Sequence, residues 1–287
     1  MASRADLHTH STFSDGVLTP SELVDLAYRR GVRTLALTDH DVTDGLPEAF
    51  RAAERYGDLT LIPGIEMSTD VPGNEVHVLG HFIDCDNANF QRRLVALRKS
   101  RLNRAEKMVE KLVQLGKPVS WARVQELAGE GAVGRPHIAQ ALVEAGHVSS
   151  VNEAFDLYLS RIGPAYVDRE RMAPAEVVEL LVEVGGLCTL AHPRELDLEA
   201  LLPEMKESGL VGMEVYYQDY SPHDIERLLG LTQKFDLLPL GGSDYHGLGG
   251  RQQREPGDIP LPDWPVERLL ALARERGALE RARLAHL

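Results

Sequence analysis

The side chains best equipped for chemistry begin at position 8. The stretch Asp6-Leu7-His8-Thr9-His10-Ser11-Thr12-Phe13-Ser14-Asp15-Gly16 reads as a short strand followed by a polar turn. In a strand, residues two apart share a face, so His8 and His10 can grip one ion while Thr9 faces away, and Asp15 lies in the turn. The same residue types return further along. Asp39-His40-Asp41 closes the apolar run 34–38, Glu66 closes 59–66, His77 sits in the alternating segment 75–81, His192 follows 186–191, and Asp244 and His246 follow 238–242. A lone His at a strand end is more often a hydrogen-bonded structural residue than a ligand, and His81, His147, His223 and His286 are read that way. By contrast His8, His10, Asp15, His40, Glu66, His77, His192, Asp244 and His246 all fall at or near predicted C-terminal strand ends.

Mixed imidazole and carboxylate donors without Cys suit Mn2+, Zn2+ or Fe2+ and disfavour soft-metal clusters. The set exceeds what one ion can take, so two or three divalent ions are implied, with Glu66 a natural bridging carboxylate. Asp39 and His40 cannot both point inward from a regular strand; His40 is read as the ligand and Asp39 as its supporting partner. Adjacent divalent ions lower the pKa of a shared water and hold both attacking and leaving oxygens, which is the equipment for phosphate-ester hydrolysis. Cys85 and Cys188, far apart and in no CxxC spacing, are read as reduced bystanders.

Donors scattered this widely need a scaffold that gathers strand tips. Thr19-Pro20-Ser21-Glu22 has the pattern of a capped helix start, and further helical patterns cover 46–56, 174–184, 198–207, 222–235 and 264–276. About seven strands alternating with helices favour a parallel, barrel-like α/β fold, because a closed barrel collects its strand ends at one mouth. Between 87 and 168 the grammar turns helical, with runs at 90–115, 120–128, 135–145 and 151–159 separated by Gly breaks. The expected division is a metal-dependent barrel from 1–86 and 169–287 with a helical insertion, 87–168, covering the active site. With 43% hydrophobic residues, no charged leader before an apolar run and no long apolar window, the chain reads as globular and cytoplasmic, with no membrane contact. A net charge of -13 argues against a protein that wraps long duplex nucleic acid, but not against a small anion held in a pocket.

Taken together, HTHSTFSDG, TDHD, GIE, EVHVLG, LAHP and GSDYHG resemble the polymerase and histidinol phosphatase (PHP) family. Within it they resemble the branch of 3',5'-nucleoside bisphosphate phosphatases and RNase AM-type 5'-to-3' exonucleases acting on short oligonucleotides. The insertion shares the resemblance through GAVGRPHIAQALVEAG and YLSRIGPAYV. It implies a distorted (β/α)7 barrel and, position by position, one ion held by His8, His10, Glu66 and Asp244, a second by Glu66, His77 and His192, and a third by Asp15, His40 and His246.

Arg135-Pro136-His137 begins a helix after Gly131-Ala132-Val133-Gly134, so free amides, a guanidinium and an imidazole would converge on an anion there. The plain alternative is a solvated charge and a packing His. Arg161 is a further substrate candidate, with a surface ion pair as its alternative. Tyr216, Tyr217 and Tyr220 could stack on a base or simply belong to the core. The activity implied is removal of the 3'-phosphate from a nucleoside 3',5'-bisphosphate, or release of the 5' nucleotide from a short oligonucleotide. His192 or Asp244 would manage the leaving-group proton, and Arg135 and His137 would hold the 5'-phosphate. The rivals are a phosphatase for another small monoester, such as histidinol phosphate, and a non-catalytic metal-binding module.

Overall fold

The computed structural model describes residues 3–71, 74–129, 133–167, 172–194, 196–247 and 254–280; His286, Gly131 and Ala132 lie outside them. Short apolar runs form a seven-stranded sheet in sequence order. Its strands are β1 (Ala5–Asp6), β2 (Thr34–Leu37), β3 (Thr60–Val71), β4 (Asn74–His81), β5 (Leu187–Ala191), β6 (Leu210–Tyr216) and β7 (Leu238–Gly241). The helices α1 (Pro20–Arg29) and α2 (Leu46–Ala53) link the first parallel strands. Thr19 and Glu22 form the expected capping box at the start of α1, with Pro20 in its first turn.

β1 to β3 are parallel, as are β5 to β7, but β4 runs antiparallel to both its neighbours, which corrects the all-parallel expectation. The cause is length. A parallel crossover needs a dozen or more residues, and β3 continues past Glu66 to Val71, paired with Asn74 across a hairpin. Because β4 is reversed, His77 reaches the rim from the first half of its strand rather than from a C-terminal end.

Beyond the strands proper the sheet curls until its two ends meet. The amide of Asp244 donates to the His8 carbonyl at 2.9 Å, and that of His10 to the Tyr245 carbonyl at 3.0 Å. Asp6, buried under this seam, accepts the amides of Ser243 (2.9 Å) and Gly257 (3.0 Å), and burial pushes its carboxyl up to about 6. Gly242 makes the seam possible, since a Cβ there would stand 2.5 Å from His8 Cβ.

Helices α7 (Pro174–Glu183), α8 (Leu198–Glu207) and α9 (Pro222–Phe235) cover the outside of the sheet, while α10 (Asp263–Glu275) packs Val266, Leu269 and Ala273 against Ala36, Ile62 and Leu240 in a separate core. Val177, Val178 and Leu181 of α7, Leu202 of α8 and Leu228 of α9 share one apolar core with the strands. The helices α3 (Ala88–Gln114), α4 (Trp121–Ala128), α5 (Arg135–Glu144) and α6 (Val151–Ala154) instead enclose a second core of Leu112, Val124, Ile138, Leu142 and Leu159. α3 spans both: Phe90 and Leu94 pack in the barrel core, Ala105 and Met108 in the other. A π-helical turn, Phe155–Leu159, follows α6, so the single helix expected over 151–159 is divided. Among the described residues no helix is long and apolar enough to cross a membrane. Cys85 and Cys188 are both free and buried.

Candidate functional site

All nine sequence-derived donors meet at the rim where the sheet closes, and Glu66 stands at their centre. The residue is on β3 and 1% exposed. Its Oε2 lies 3.2 Å from His8 Nε2, 3.2 Å from His10 Nε2 and 3.1 Å from His40 Nδ1. Its Oε1 lies 2.7 Å from His77 Nδ1 and 3.2 Å from His192 Nε2. Asp244 Oδ1 approaches His8 Nε2 at 3.2 Å and His10 Nε2 at 3.0 Å. On the far side, His246 Nε2 is 3.2 Å from Asp15 Oδ1, and His40 Nε2 is 3.8 Å from Asp15 Oδ2.

Such crowding makes no sense as hydrogen bonding alone. His77 Nδ1 and His192 Nε2 are hydrogen-bonded to Oε1, but three further ring nitrogens crowd Oε2 with no hydrogen bond, a packing that cations between them would relieve. His8 Nε2, His10 Nε2, Asp15 Oδ1, His40 Nδ1, Glu66 Oε2 and Asp244 Oδ1 are buried and make no hydrogen bond. Three groups have ligand atoms close enough to enclose an ion: His8, His10, Glu66 and Asp244; His10, Asp15, His40 and His246; and His40, Glu66 and His77. The donor set and these orphaned atoms therefore fit divalent cations. The grouping differs from the one the resemblance implies: His10 joins two groups, and His192, although its Nε2 lies 3.2 Å from Glu66 Oε1, joins none, with His40 in its place beside His77. His40 faces Glu66 with Nδ1 and Asp15 with Nε2, so it stands between two groups rather than within one.

The electrostatics carry the same message. Burial would raise the carboxyl of Glu66, but the imidazoles of His40, His8 and His77 hold it well below the usual range. Burial likewise works against Asp244 and Asp15, and His8 and His246 for the first, His246 and His40 for the second, outweigh it. His77 and His246 are pulled up to about 10, against burial, by Glu66 and by Asp15 with Asp244 respectively. His40 goes the other way, pushed by burial down to about 3.

Neighbouring groups aim the ligands. His8 Nδ1 donates to Glu214 Oε1 at 3.1 Å and His246 Nδ1 to the Asp244 carbonyl at 2.9 Å, which turns each Nε2 toward the cluster. Asp39 supports rather than ligates: it accepts the Ser11 amide (2.7 Å) and the hydroxyls of Ser11 (2.7 Å) and Ser14 (2.6 Å), fixing the loop that carries Asp15. Glu214 is the residue that sequence reasoning missed. It is fully buried on β6 and also accepts the His192 amide at 2.8 Å. A lone carboxylate in the otherwise apolar strand Leu210–Tyr216 was the available signal, since a buried charge needs partners. The Tyr217 hydroxyl donates to Asp244 Oδ2 at 2.6 Å, and its ring centroid lies 5.5 Å from that of His192 and 5.2 Å from that of Tyr220. Tyr220 accepts the Arg194 amide, and Tyr216 packs against the core. His81 bonds the Leu7 carbonyl and His147 the Pro118 carbonyl, neither joining a ligand group.

A cavity of about 170 Å³ opens beside the cluster, lined by Asp15, His40 and His77 on the barrel side and by Arg104, Arg135 and Phe155 on the helical side. Arg135 reaches it over the Phe155 ring and pairs with Glu75. Of the groups expected to converge at the start of α5, the Gly134 amide is not free, because it donates to His137 Nδ1 at 3.0 Å. Arg161 does not line this cavity; its Nη1 donates to the Val71 carbonyl of the β3–β4 hairpin at 3.0 Å.

A family model described as PHP domain matches residues 6–167. The chain is similar to the 3',5'-nucleoside bisphosphate phosphatase of Chromobacterium violaceum, at 34% identity over 278 residues covering 92% of this chain and 95% of that one. It is similar to the 5'-3' exoribonuclease Rnm of Salmonella typhimurium, at 35% identity over 247 residues and 84% of each chain. In structure it is similar to a Bifidobacterium adolescentis protein assigned by inference as a metal-dependent phosphoesterase, with a TM-score of 0.86, 34% identity, and coverage of 94% of this chain and 96% of that one.

Proposed function

The chain belongs to the PHP family, and from that premise we propose that it is a metal-dependent phosphoesterase. It removes the 3'-phosphate from nucleoside 3',5'-bisphosphates or releases 5'-mononucleotides from short 5'-phosphorylated oligonucleotides. The observation that carries this reading is the buried Glu66 carboxylate, with both oxygens ringed by imidazoles and with its Oε2, His8 Nε2, His10 Nε2 and His40 Nδ1 making no hydrogen bond.

When bound, two or three divalent ions, Mn2+ before Zn2+ or Fe2+, supply Lewis acidity at the phosphoryl oxygens. His8, His10, Glu66 and Asp244 would hold one of them, with His77 and His192 completing a second site on Glu66, and Asp15, His40 and His246 a third. Tyr217 keeps Asp244 turned toward the ligand imidazoles, and Glu214 does the same for His8. His192, at the rim and 26% exposed, or Asp244 would pass the proton to the leaving oxygen. Arg135 would anchor the 5'-phosphate, with His137 setting the helix start beneath it and Arg161 tying the insertion to the hairpin. Residues 87–168 thus act as a helical subdomain that covers the site and measures the distance from anchor to reacting phosphate.

The test is product analysis after incubation of adenosine 3',5'-bisphosphate with the Mn2+-supplemented protein. Adenosine 5'-phosphate is the expected product. Release of the 5'-phosphate instead, or faster turnover of histidinol phosphate than of any nucleotide, would overturn the reading.

A further inference from the structure

We propose that Glu75 sets the charge requirement of the anion subsite, so that Arg135 accepts a terminal phosphate monoester and refuses an internal phosphodiester. This rests on Arg135 being the substrate anchor. A carboxylate is out of place in the wall of a cavity that must admit an anion, yet Glu75 lines it beside His40 and His77. Its Oε2 pairs with Arg135 Nη2, the two side chains being 23% and 20% exposed. Its Oε1 stands 3.6 Å from His77 Nε2, the ring nitrogen turned away from Glu66. Glu75 therefore has a partner for each oxygen, one on the barrel and one on the helical block.

An incoming anion has to compete with this pair. A phosphodiester carries one negative charge, the same that Glu75 already offers the guanidinium, and it would leave a displaced carboxylate beside it. The exchange gains nothing. A phosphate monoester near neutral pH carries up to two charges and presents three terminal oxygens, enough to engage the guanidinium bidentately and still face a second cation. That cation is Arg104, buried in the same wall with its Nε on the Val167 carbonyl at 2.7 Å. The dislodged Glu75 keeps its contact with His77. The same arrangement reads the end of a strand: a terminal phosphate is a monoester and an internal linkage is a diester, so the internal linkage does not register at Arg135.

Calorimetric binding of adenosine 5'-monophosphate and of its 5'-O-methyl ester, which differ by one methyl group and one ionisable charge, tests the proposal without any turnover. The wild-type protein should bind the monoester at least about 10-fold more tightly. In Glu75→Gln the preference should fall below about 3-fold because the methyl ester gains affinity. In Arg135→Gln it should fall because the monoester loses affinity. Equal weakening of both ligands in Glu75→Gln, or an unchanged ratio, would overturn the proposal. Thermal melts establish that each variant is folded, and Arg135→Gln reads the same pair from its other side. A protein that binds selectively but releases no phosphate from the bisphosphate refutes the proposed function and leaves this inference standing; turnover with an unchanged ratio does the converse.

Discussion

Exchanging Glu214 for Gln changes one atom of the site and should reverse a proton. Glu214 takes two donors in a fully buried setting, the His192 amide at 2.8 Å and His8 Nδ1 at 3.1 Å. A Gln keeps one oxygen. The backbone amide can only donate, so it retains that oxygen, and the new side-chain NH2 faces His8 Nδ1. That contact is satisfied only if Nδ1 accepts, which moves the imidazole proton to Nε2, the atom 3.2 Å from both Glu66 Oε2 and Asp244 Oδ1. An ion on Nε2 would return the proton to Nδ1, where it meets the NH2 donor, so the loaded state loses this contact. Loss of a supporting partner of a metal-bound His typically costs about 10–100-fold in affinity, so Mn2+ binding in Glu214→Gln should weaken by about 1.4–2.8 kcal/mol. The metal-free protein should melt below the wild type, because burial works against a charged His8 and Glu214 is one of the buried carboxylates that hold it charged. Glu214→Leu, which strands both donors, should cost the metal-free fold about 1–3 kcal/mol per orphaned group. The assay is ion stoichiometry after dialysis, with titration of Mn2+ into each variant. A Glu214→Gln protein with wild-type stoichiometry and affinity would refute the argument that this carboxylate sets the His8 tautomer.

Arg135→Ala should damage turnover of a 3',5'-bisphosphate by at least about 10-fold while leaving ion content at the wild-type value, and elemental analysis alongside kinetics separates the two effects. Gly242→Ala places a Cβ 2.5 Å from His8 Cβ and 2.6 Å from its amide nitrogen; a cost of about 1–3 kcal/mol and weakened ion binding are expected, to be read from denaturant melts and stoichiometry. Ion binding should release protons: burial pushes His77 and His246 down but their carboxylates hold both up to about 10, so at pH 7 each is protonated without an ion and must shed its proton to ligate. Affinity then rises with pH, and Mn2+ titrations in two buffers of different ionisation enthalpy should differ; identical heats would remove the basis of this expectation. Leu142→Ala in the second core should loosen the helical block by about 2–5 kcal/mol, with hydrogen exchange accelerating there and ion content unchanged.

The donors were legible in the sequence because a polar residue at the end of an apolar run has few structural excuses. His40, His192, Asp244 and His246 all follow such runs, His8 and His10 stand two apart on a short strand, and all reach the rim. Helix ends were legible for a similarly local reason, as the Thr19–Glu22 box shows. The direction of β4 was recoverable but overlooked, since too few residues separate Glu66 from Glu75 to hold a crossover. What the sequence could not reveal was pairing between distant side chains. Glu214 meets His8 across 206 positions and Arg135 meets Glu75 across 60, and neither contact leaves a trace in local periodicity.

Regular strands would not have sufficed to build this site. β1 has only two residues, after which the chain relies on irregular partners: the His8 amide bonds Asp6 Oδ1, the Thr9 amide bonds Thr38 Oγ1, and the His10 amide bonds the Tyr245 carbonyl. Asp41, His192 and Asp244 have φ of 53°, 30° and 51°, in the left-handed region that costs a side-chain-bearing residue about 1–2 kcal/mol. Each of these amides is taken up at the cluster, by the carbonyl of Glu66, by Glu214 Oε2 and by the carbonyl of His8. A strand leaving a barrel mouth in extended geometry carries its side chains alternately away from the axis, whereas a left-handed residue turns the backbone and folds the side chain back over the opening. At His192 and Asp244 the strain therefore coincides with the ligands for a mechanical reason, and the hydrogen bonds of the same ligand and support residues hold it in place, whereas Phe82, Asp219 and Asp236 carry a positive φ outside the ligand set.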